Sequence, residues 1–410
     1  MHVLYLHQHF VSPEQPGGTR SYEMARRLVA RGHRVTLLGT IARSRGRGPG
    51  VEHRVLEGIE LRLAAVPYDN AMGPRARMAA FGRYAAWASA QLMRHRPDVI
   101  LASSTPLTVA LPGLWGRLWH RVPMVFEVRD LWPELPLAIG ALRSPVSRTL
   151  ARGLAWAAYR GAAEVIALSP GMADGVAAWG VPRSRITVIP NGCDREAFAV
   201  EPERVAAERW RHFPGLEPEQ PLVLYAGTLG WMNDVGWLVE LAGAVASIDP
   251  RIRFAIVGDG AQREAIAARA RARGVLERVL WMHPSVPKRQ MPGVLAAATV
   301  ATSLFRPVPA MVHNSANKLF DALAAGRPVA INYGGWQARM LRESGAGLAV
   351  PHAVEPAADA LVSLLHDRPR LVAAGEAARR LATERFDRDQ QAERLEGVLH
   401  RAVERGPRSV

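Results

Sequence analysis

The sequence predicts an α/β protein with two doubly wound domains that face each other across a cleft. Three observations lead to this fold class. The 410 residues exceed what one hydrophobic core usually supports. Short apolar runs alternate with amphipathic helical stretches along the chain, and polar or glycine-containing turns follow most of these runs. Because parallel sheets bind ligands at the carboxyl ends of their strands, we expect the site in the cleft.

The first half begins with a strand, helix and strand, predicted at 2–7, 21–31 and 35–38. The loop after the first strand contains Gly17 and Gly18. Glycine lets a backbone approach a bound group closely, and the same pair also fits a simple tight turn. The loop is therefore either part of a site or a structural turn.

Two further buried strands are predicted at 98–102 and 123–128, and polar residues follow both. These are Ser103, Thr105, Arg129, Asp130 and Glu134. Polar side chains at this end of a parallel strand point toward the ligand crevice. Arg129 and Asp130 are nearly as well explained as a structural pair.

A long helix is predicted at 75–96. Its apolar residues recur at helical spacing, and arginines surround them. Such a stripe usually packs on a core, and it also fits contact with a membrane or an acceptor. Both interpretations stay open at this stage.

The second half repeats the alternation from a strand at 222–226 onward, and residues 314–329 form a loop, a short helix and a strand. A helix that follows Asn317 and Lys318 presents free backbone N–H groups and one ammonium, which suits a diphosphate. We expect an N-terminal domain at 1–200 and a C-terminal domain at 201–387. The last helix, 388–410, is expected to pack back on the first domain.

Composition narrows the function classes. The formal charge of +15 favours anionic partners, but no helix has the spaced base-reading residues of a nucleic-acid module, so we expect no nucleic acid as a partner.

Cys193 is the only cysteine, which excludes an intramolecular disulfide and a cysteine metal cluster and fits a reducing cytoplasm. The apolar start lacks the pattern of a secretory signal. The uncharged run between Asp98 and Arg117 fits a strand and a helix interrupted by Pro112 rather than a membrane span.

The motifs, in their order along nearly the whole chain, resemble glycosyltransferase family 4. They are Pro-Gly-Gly-Thr at 16–19, Asn-Gly-Cys-Asp at 191–194, Tyr-Ala-Gly-Thr-Leu-Gly at 225–230, Val-Gly-Asp-Gly at 257–260 and Asn-Lys-Leu-Phe-Asp-Ala-Leu-Ala-Ala-Gly-Arg-Pro-Val at 317–329. The resemblance implies the GT-B architecture of two Rossmann-like domains. Arg-Asp-Leu-Trp-Pro-Glu at 129–134 is similar to a subgroup that builds bacterial surface polysaccharides and includes acetamido-fucosyl transferases.

The resemblance implies a retaining transfer of a sugar from a nucleotide sugar, usually a UDP-sugar, to a hydroxyl. It implies no metal and no cofactor, since the UDP-sugar is a co-substrate. The nucleotide-sugar residues expected from it are Gly17, Gly18, Gly227, Thr228, Asn233, Gly258, His313, Asn314, Ser315, Asn317, Leu319 and Asp321. The catalytic residues expected are Asp130, Arg129 and Lys318, and those expected to bind the acceptor are Thr19, Arg20, Ser103, Thr105 and Glu134.

The sequence departs from the family pattern at two places. Asp321 stands where a glutamate normally holds the ribose, and His313 replaces the glutamate that normally contacts hydroxyls of the donor sugar. Thr228 and Asn233 stand where relatives often have an arginine and a lysine against the diphosphate. We therefore expect Lys318 to supply the positive charge, because the leaving nucleotide develops negative charge in the transition state.

The function expected from these features is transfer of an N-acetylated hexose from a UDP-sugar to a lipid-diphosphate-linked saccharide. The reaction would serve bacterial polysaccharide synthesis at the inner face of the cell membrane, with peripheral contact to anionic lipid. A transferase with a soluble small-molecule acceptor is the alternative. A nucleotide-sugar-binding subunit without catalytic activity is a third interpretation.

Overall fold

The computed structural model describes residues 1–41, 50–68, 72–138, 140–217 and 219–406. It contains two sheets, each covered by helices on both faces, as predicted. The end of the predicted last helix, 407–410, lies outside the described residues. Among the residues described, no helix is both long and apolar enough to cross a membrane.

The first sheet has eight strands in the order β3-β4-β2-β1-β5-β6-β7-β8, and only the β3–β4 pair is antiparallel. Leu4 lies opposite Thr36 and Ile100, so the first strand is central and buried on both faces. The strands are β1 His2–Leu6, β2 Arg34–Thr40, β3 Val51–Leu56, β4 Ile59–Ala64, β5 Val99–Ser104, β6 Met124–Val128, β7 Glu164–Ala167 and β8 Ile186–Val188.

Six helices alternate with these strands along the chain: α1 Arg20–Ala30, α2 Pro74–Leu92, α3 Ala110–His120, α4 Glu134–Ala138, α5 Pro145–Gly161 and α6 Pro170–Ala178. Local sequence explains several of their starts. The hydroxyls of Ser144 and Ser169 accept hydrogen bonds from backbone amides in the first turns of α5 and α6, and proline follows each serine. In α2, Ala85, Ala88 and Leu92 are buried, so its apolar stripe packs mainly on the core.

The second sheet has six parallel strands in the order β11-β10-β9-β12-β13-β14. The strands are β9 Leu222–Ala226, β10 Arg253–Val257, β11 Leu280–His283, β12 Val300–Ser303, β13 Val329–Ile331 and β14 Gly347–Ala349. The helices that follow α6 are α7 Arg195–Phe198, α8 Pro202–His212, α9 Val235–Ile248, α10 Arg263–Ala272, α11 Met291–Ala296, α12 Asn317–Ala324, α13 Trp336–Ser344, α14 Val354–His366, α15 Arg368–Arg385 and α16 Arg388–Arg405.

The last helix, α16, returns to the first sheet. Its Leu395 and Leu399 are fully buried in the same core cluster as Met24 and Leu28 of α1. Ion pairs join the same elements, since Arg27 contacts both Asp194 and a carboxylate of α16. The stretch between the domains contains the two helices α7 and α8.

Candidate active site

A cleft of about 810 Å³ lies between the two domains. The first domain contributes the loop that contains Gly17 and Gly18, and the second contributes the turns after its strands and the start of α12. Eight of the twelve predicted nucleotide-sugar residues line this cleft together with Lys318. They are Gly17, Gly18, Gly227, Thr228, Asn233, Gly258, Asn317 and Asp321.

Glycine is required at the turns that shape the cleft. A methyl group on Gly258 would lie 1.9 Å from the carbonyl oxygen of Gly227, and one on Gly18 would lie 2.7 Å from Nδ2 of Asn317. A larger residue at position 258 would push the two backbones apart, and one at position 18 would displace the Asn317 side chain. The glycines therefore let the turns after β9 and β10 meet, and let the first-domain loop reach α12.

Lys318 places its ammonium at the second-domain side of the cleft. Its Nζ donates to Oδ1 of Asn233 at 2.7 Å and to the hydroxyl of Tyr225 at 3.2 Å, and it lies 4.9 Å from the ring centre of Phe305. Burial lowers the pKa of Lys318 to about 7. No ion pair with a carboxylate involves it within the described part of the chain. An anion bound beside this amine would stabilise its charged form.

The loop before α12 is held by its own side chains. Asn314 accepts a hydrogen bond from the Ala316 amide at 3.1 Å, and its carbonyl accepts one from Nε1 of Trp336 at 2.8 Å. The Leu319 amide donates to the Ala316 carbonyl at 3.1 Å. Asn314 therefore shapes the turn. Leu319, which is predicted to contact the nucleotide sugar, does not line the cleft, and its amide already has a backbone partner.

Asp321 lines the cleft one turn after Lys318 and forms an ion pair with Lys288. Its second oxygen, Oδ1, is buried and has no hydrogen-bond partner among the described residues. Lys288 also lines the cleft and was not predicted as a site residue. A signal was available, since Lys288 and Lys318 are the only lysines of the chain.

Ser315 and His313 contact the first domain instead of lining the cleft. The Asn191 amide donates to Oγ of Ser315 at 3.1 Å, and the Asn191 side chain donates to the Ser315 carbonyl at 2.5 Å. The His313 ring lies directly on Gly171 at the start of α6, where a methyl group would come within 1.9 Å of Nδ1. Both residues of the second domain therefore contact the first domain beside the cleft.

The structure corrects the prediction of an acceptor contact for Arg20 and Ser103. Arg20 is only 2% exposed, and its Nε and Nη2 donate to Oε1 of Glu127 at 3.0 and 2.8 Å. Ser103 is fully buried and donates to the other oxygen of Glu127 at 2.6 Å. Arg20 also donates to backbone carbonyls of the segment before Asn191. This buried network holds β5, β6 and α1 together and leaves neither side chain available to a ligand.

Arg129 and Asp130 remain half-buried at the end of β6, outside the lining of the cleft. Arg129 donates to Nε2 of His7 at 3.3 Å, and its amide donates to Oγ of Ser104 at 3.0 Å. Burial raises the pKa of Asp130, while the charge of Arg129 opposes that rise. Burial, aided by Arg129, lowers the pKa of His9 to about 4 and that of His7 well below its usual value. Both histidines, which were not predicted as site residues, are therefore neutral at pH 7.

The other predicted acceptor residues lie near the same strand ends. Thr19 is buried, and its hydroxyl has no hydrogen-bond partner within the described ranges. The Thr105 hydroxyl donates to the Ser104 carbonyl. Glu134 accepts a hydrogen bond from Nε1 of Trp179 at 3.3 Å, and its other oxygen is buried and unpartnered among the described atoms. Thr19 and Glu134 thus each keep a buried polar atom without a partner among the described residues, and neither residue lines the cleft.

Known proteins match both domains. Residues 17–197 match the model described as Glycosyltransferase Family 4, and residues 220–367 match the model described as Glycosyl transferases group 1. A GDP-mannose-dependent alpha-(1-6)-phosphatidylinositol monomannoside mannosyltransferase of Mycobacterium tuberculosis is 30% identical over 224 residues, 53% of this chain and 56% of the relative. A D-inositol 3-phosphate glycosyltransferase of Corynebacterium aurimucosum is 27% identical over 200 residues, 47% of this chain and 46% of the relative.

The matched segments span about half the length of these curated relatives. Among solved structures, Anabaena HepE in complex with UDP-glucose superimposes with a TM-score of 0.73 at 17% identity and covers 98% of this chain and 99% of HepE. This confirms the predicted GT-B fold. The polysaccharide subgroup suggested by residues 129–134 stays a prediction. The first half of the chain thus matches a glycosyltransferase family 4 model and the second half matches a glycosyl transferases group 1 model, and the two halves fold as the facing domains of the GT-B architecture.

Proposed function

We propose that this protein is a glycosyltransferase that moves a sugar from a nucleotide sugar to a hydroxyl group. The observation that carries the proposal is Lys318, a half-buried residue whose amine faces a cleft of about 810 Å³ and forms no ion pair with a described carboxylate. A buried ammonium without a counter-ion is costly, and a bound diphosphate would supply the missing charge. The matches of both domains to glycosyltransferase models support the same reaction class.

Lys318 would act on the leaving group. When the bond between sugar and diphosphate breaks, negative charge accumulates on the phosphate oxygens, and a preorganised cation lowers the free energy of that state. Asn233 and Tyr225 hold the ammonium in position. The glycine turns around it, at Gly227 and Gly258, leave room for a phosphate close to the backbone.

We propose a UDP-sugar as the donor, with Asp321 on the ribose. The unpartnered Oδ1 of Asp321 is an available acceptor for a ribose hydroxyl, one helical turn from the proposed diphosphate site. HepE has been solved with UDP-glucose, whereas the mycobacterial relative is GDP-mannose-dependent. An N-acetylated hexose as the transferred sugar follows from the resemblance to the polysaccharide subgroup.

For the acceptor we propose a lipid-diphosphate-linked saccharide at the cytoplasmic face of the membrane. The mycobacterial relative is named for a phosphatidylinositol mannoside, which is a lipid-linked sugar. Asp130, whose raised pKa makes its carboxylate more basic, would take the proton of the acceptor hydroxyl, and Arg129 would bind an acceptor phosphate. We propose a retaining reaction without metal, and we assign no residue as a nucleophile.

A soluble acceptor is the second candidate. The relative from Corynebacterium aurimucosum is named for D-inositol 3-phosphate, a small and water-soluble molecule. The half-buried Arg129 would bind the phosphate of such an acceptor as well as it would bind a lipid diphosphate. The two candidates share the donor site and differ in the acceptor, which is either a lipid diphosphate or a soluble monophosphate.

Measurement of nucleotide release tests the proposed reaction and distinguishes the two proposed acceptors. The protein is incubated with UDP-sugars and with GDP-mannose, together with either a lipid-diphosphate saccharide or inositol phosphate, and nucleotide release is measured. We expect release with a UDP-sugar and the lipid-linked acceptor, and loss of release in Lys318→Met. Release only with inositol phosphate would favour the soluble acceptor. Nucleotide binding without release across the whole panel would contradict the transferase and favour a binding subunit.

A further inference from the structure

Helix α3 exposes a stripe of large apolar side chains. Leu111, Trp115, Leu118 and Trp119 are 46%, 43%, 54% and 56% exposed. Their spacing of four, three and one residues places them on one side of the helix. The rings of Trp115 and Trp119 stack on each other with centres 5.7 Å apart. The opposite side of α3 is buried against the first sheet.

Helix α5 exposes a second set of apolar residues. Val146 and Leu150 are each 68% exposed, and Trp156 is 53% exposed. The guanidinium of Arg160 lies 5.8 Å from the centre of the Trp156 ring. The buried side of α5, including Ala155, Ala158 and Tyr159, packs into the same core cluster that α3 covers.

The two exposed sets lie on neighbouring helices. A methyl group on Gly161 of α5 would lie 2.9 Å from Cδ2 of Leu114 in α3, so the helices are in direct contact. Both helices cover one face of the first sheet. We call the exposed residues of this pair the α3–α5 face; it consists of Leu111, Trp115, Leu118, Trp119, Val146, Leu150 and Trp156, with the arginines of α5.

The two helices of this face carry charge of one sign. The sequence contains no Asp or Glu between positions 99 and 126 or between positions 135 and 163. Arg148, Arg152 and Arg160 are exposed along α5. A surface that combines exposed tryptophan and leucine with uncompensated arginine matches the boundary between lipid headgroups and acyl chains, where aromatic rings and cationic side chains both lie favourably.

We propose that the α3–α5 face docks on a lipid bilayer that contains anionic headgroups. Charge complementarity selects this occupant, because a second copy of the chain would bring arginines against arginines. The apolar side chains would enter the acyl boundary, while Arg148 and Arg152 would contact phosphates. This surface differs from the one that the sequence suggested for membrane contact, since the stripe of α2 is mostly occupied by the core.

This inference extends the proposed function. The biological purpose of the α3–α5 face rests on that function. A lipid-linked acceptor has its lipid anchored in the membrane, and a docking face on the acceptor domain would keep the enzyme beside it. The physical claim is separable from the reaction, since vesicle binding needs neither donor nor acceptor. Nucleotide-sugar binding in turn is measured without vesicles.

The test is co-sedimentation of the full chain with phosphatidylcholine vesicles that contain or lack phosphatidylglycerol. We expect binding only with phosphatidylglycerol, and weaker binding at high salt because counter-ions screen the arginines. Leu118→Ser/Trp119→Ser should weaken binding about tenfold or more, since two side chains no longer leave water. Arg148→Glu/Arg152→Glu should weaken it by about 25-fold or more, roughly fivefold for each lost charge.

Matched control variants test whether vesicle binding depends on this face or only on the overall hydrophobicity and net charge of the protein. Val372→Ser/Ile248→Ser alters two apolar residues of the second domain that are 56% and 48% exposed. Arg368→Glu/Arg271→Glu makes the same change in net charge on exposed residues of that domain. Both controls should bind vesicles like the native chain, and unchanged circular dichroism should show that all four variants fold.

Three results would overturn the proposal. The first is that the unmodified chain does not bind vesicles that contain phosphatidylglycerol. The second is equal weakening by the face variants and the controls. The third is a native dimer, detected by sedimentation velocity, that the Leu118→Ser/Trp119→Ser variant converts to a monomer. If vesicle binding fails while nucleotide release persists, the docking face is wrong and the transferase proposal stands.

Discussion

Two basic side chains in this protein, Arg20 and Lys318, have opposite surroundings. Arg20, at the start of α1, donates to Glu127 and to backbone carbonyls, so its guanidinium is not available to a ligand in the cleft. Lys318, in the first turn of α12, contacts only neutral groups, Asn233, Tyr225 and the ring of Phe305. Both were predicted from the sequence to contact a ligand. The difference shows that a cation at the start of a helix is a ligand candidate only when the fold leaves its charge uncompensated.

The partner of Arg20 explains why the sequence alone could not make this distinction. Glu127 is 107 residues away along the chain, inside a strand that was predicted as apolar and buried. The charge of Arg20 lowers the pKa of Glu127 against the opposing effect of burial. The pair thus remains ionised, and together with Ser103 it connects three elements of the first domain.

The largest expected effect is the loss of stability in Arg20→Met. The variant leaves the Glu127 carboxylate buried without its cation, which costs about 3–5 kcal/mol in free energy of unfolding. Urea unfolding monitored by circular dichroism measures the change. Arg34→Met is the matched control, because Arg34 pairs with Glu60 at an exposed position and its loss should cost less than about 1 kcal/mol. Equal losses in the two variants would contradict the structural role of Arg20.

The second effect is the loss of nucleotide-sugar affinity in Lys318→Met. Removal of a charge-assisted contact to the diphosphate should weaken binding by about 10- to 100-fold, or about 1.5–3 kcal/mol. The free energy of unfolding should stay the same or rise, because the variant removes a buried amine without a counter-ion. Calorimetric titration with UDP-glucose measures the affinity. Unchanged affinity would remove Lys318 from the site.

The third effect is a pH dependence that belongs to Lys318 alone. Its pKa of about 7 in the free protein means that the amine is charged below pH 7 and neutral above it. A UDP-sugar binds the charged form, so affinity should be constant below pH 7. It should fall about tenfold, or about 1.4 kcal/mol, for each pH unit above it. UDP-sugar is the appropriate ligand, because its diphosphate, unlike that of UDP, does not titrate in this range.

Lys318→Arg is the control for this profile. A guanidinium stays charged throughout the range, so the variant should bind with an affinity that does not change between about pH 6 and pH 9. If the native protein and Lys318→Arg show the same slope, another group titrates and the depressed pKa of Lys318 is irrelevant to binding.

The fold could be predicted from the sequence because it depends on periodicity that is local. Runs such as Leu222–Ala226 and Arg253–Val257, each followed by a glycine turn, specify parallel strands without knowledge of their partners. The placement of Gly227, Gly258 and Lys318 around one cleft could be predicted by the same logic, since the ends of parallel strands converge.

The remaining parts of the site depend on pairings between distant segments. Lys288 reaches Asp321 from a loop 33 residues earlier, and Asn191 of the first domain reaches Ser315 across the boundary between the domains. No periodicity specifies such contacts. The proposed docking face could not be predicted for a related reason, because exposed and buried tryptophans look alike in a sequence until the neighbouring helix is placed.

The smallest effect concerns Asp321, the residue that both compensates a cation and faces the cleft. Asp321→Asn should weaken UDP-glucose binding by about fivefold, or about 1 kcal/mol, because an amide oxygen is a poorer acceptor for a ribose hydroxyl than a carboxylate. Lys288→Met leaves the carboxylate in place and should preserve affinity. Inorganic pyrophosphate, which has no ribose, should compete equally well in the native chain and in Asp321→Asn. If pyrophosphate competition weakens as much as UDP-glucose binding, Asp321 acts through the position of Lys318 rather than on the ribose.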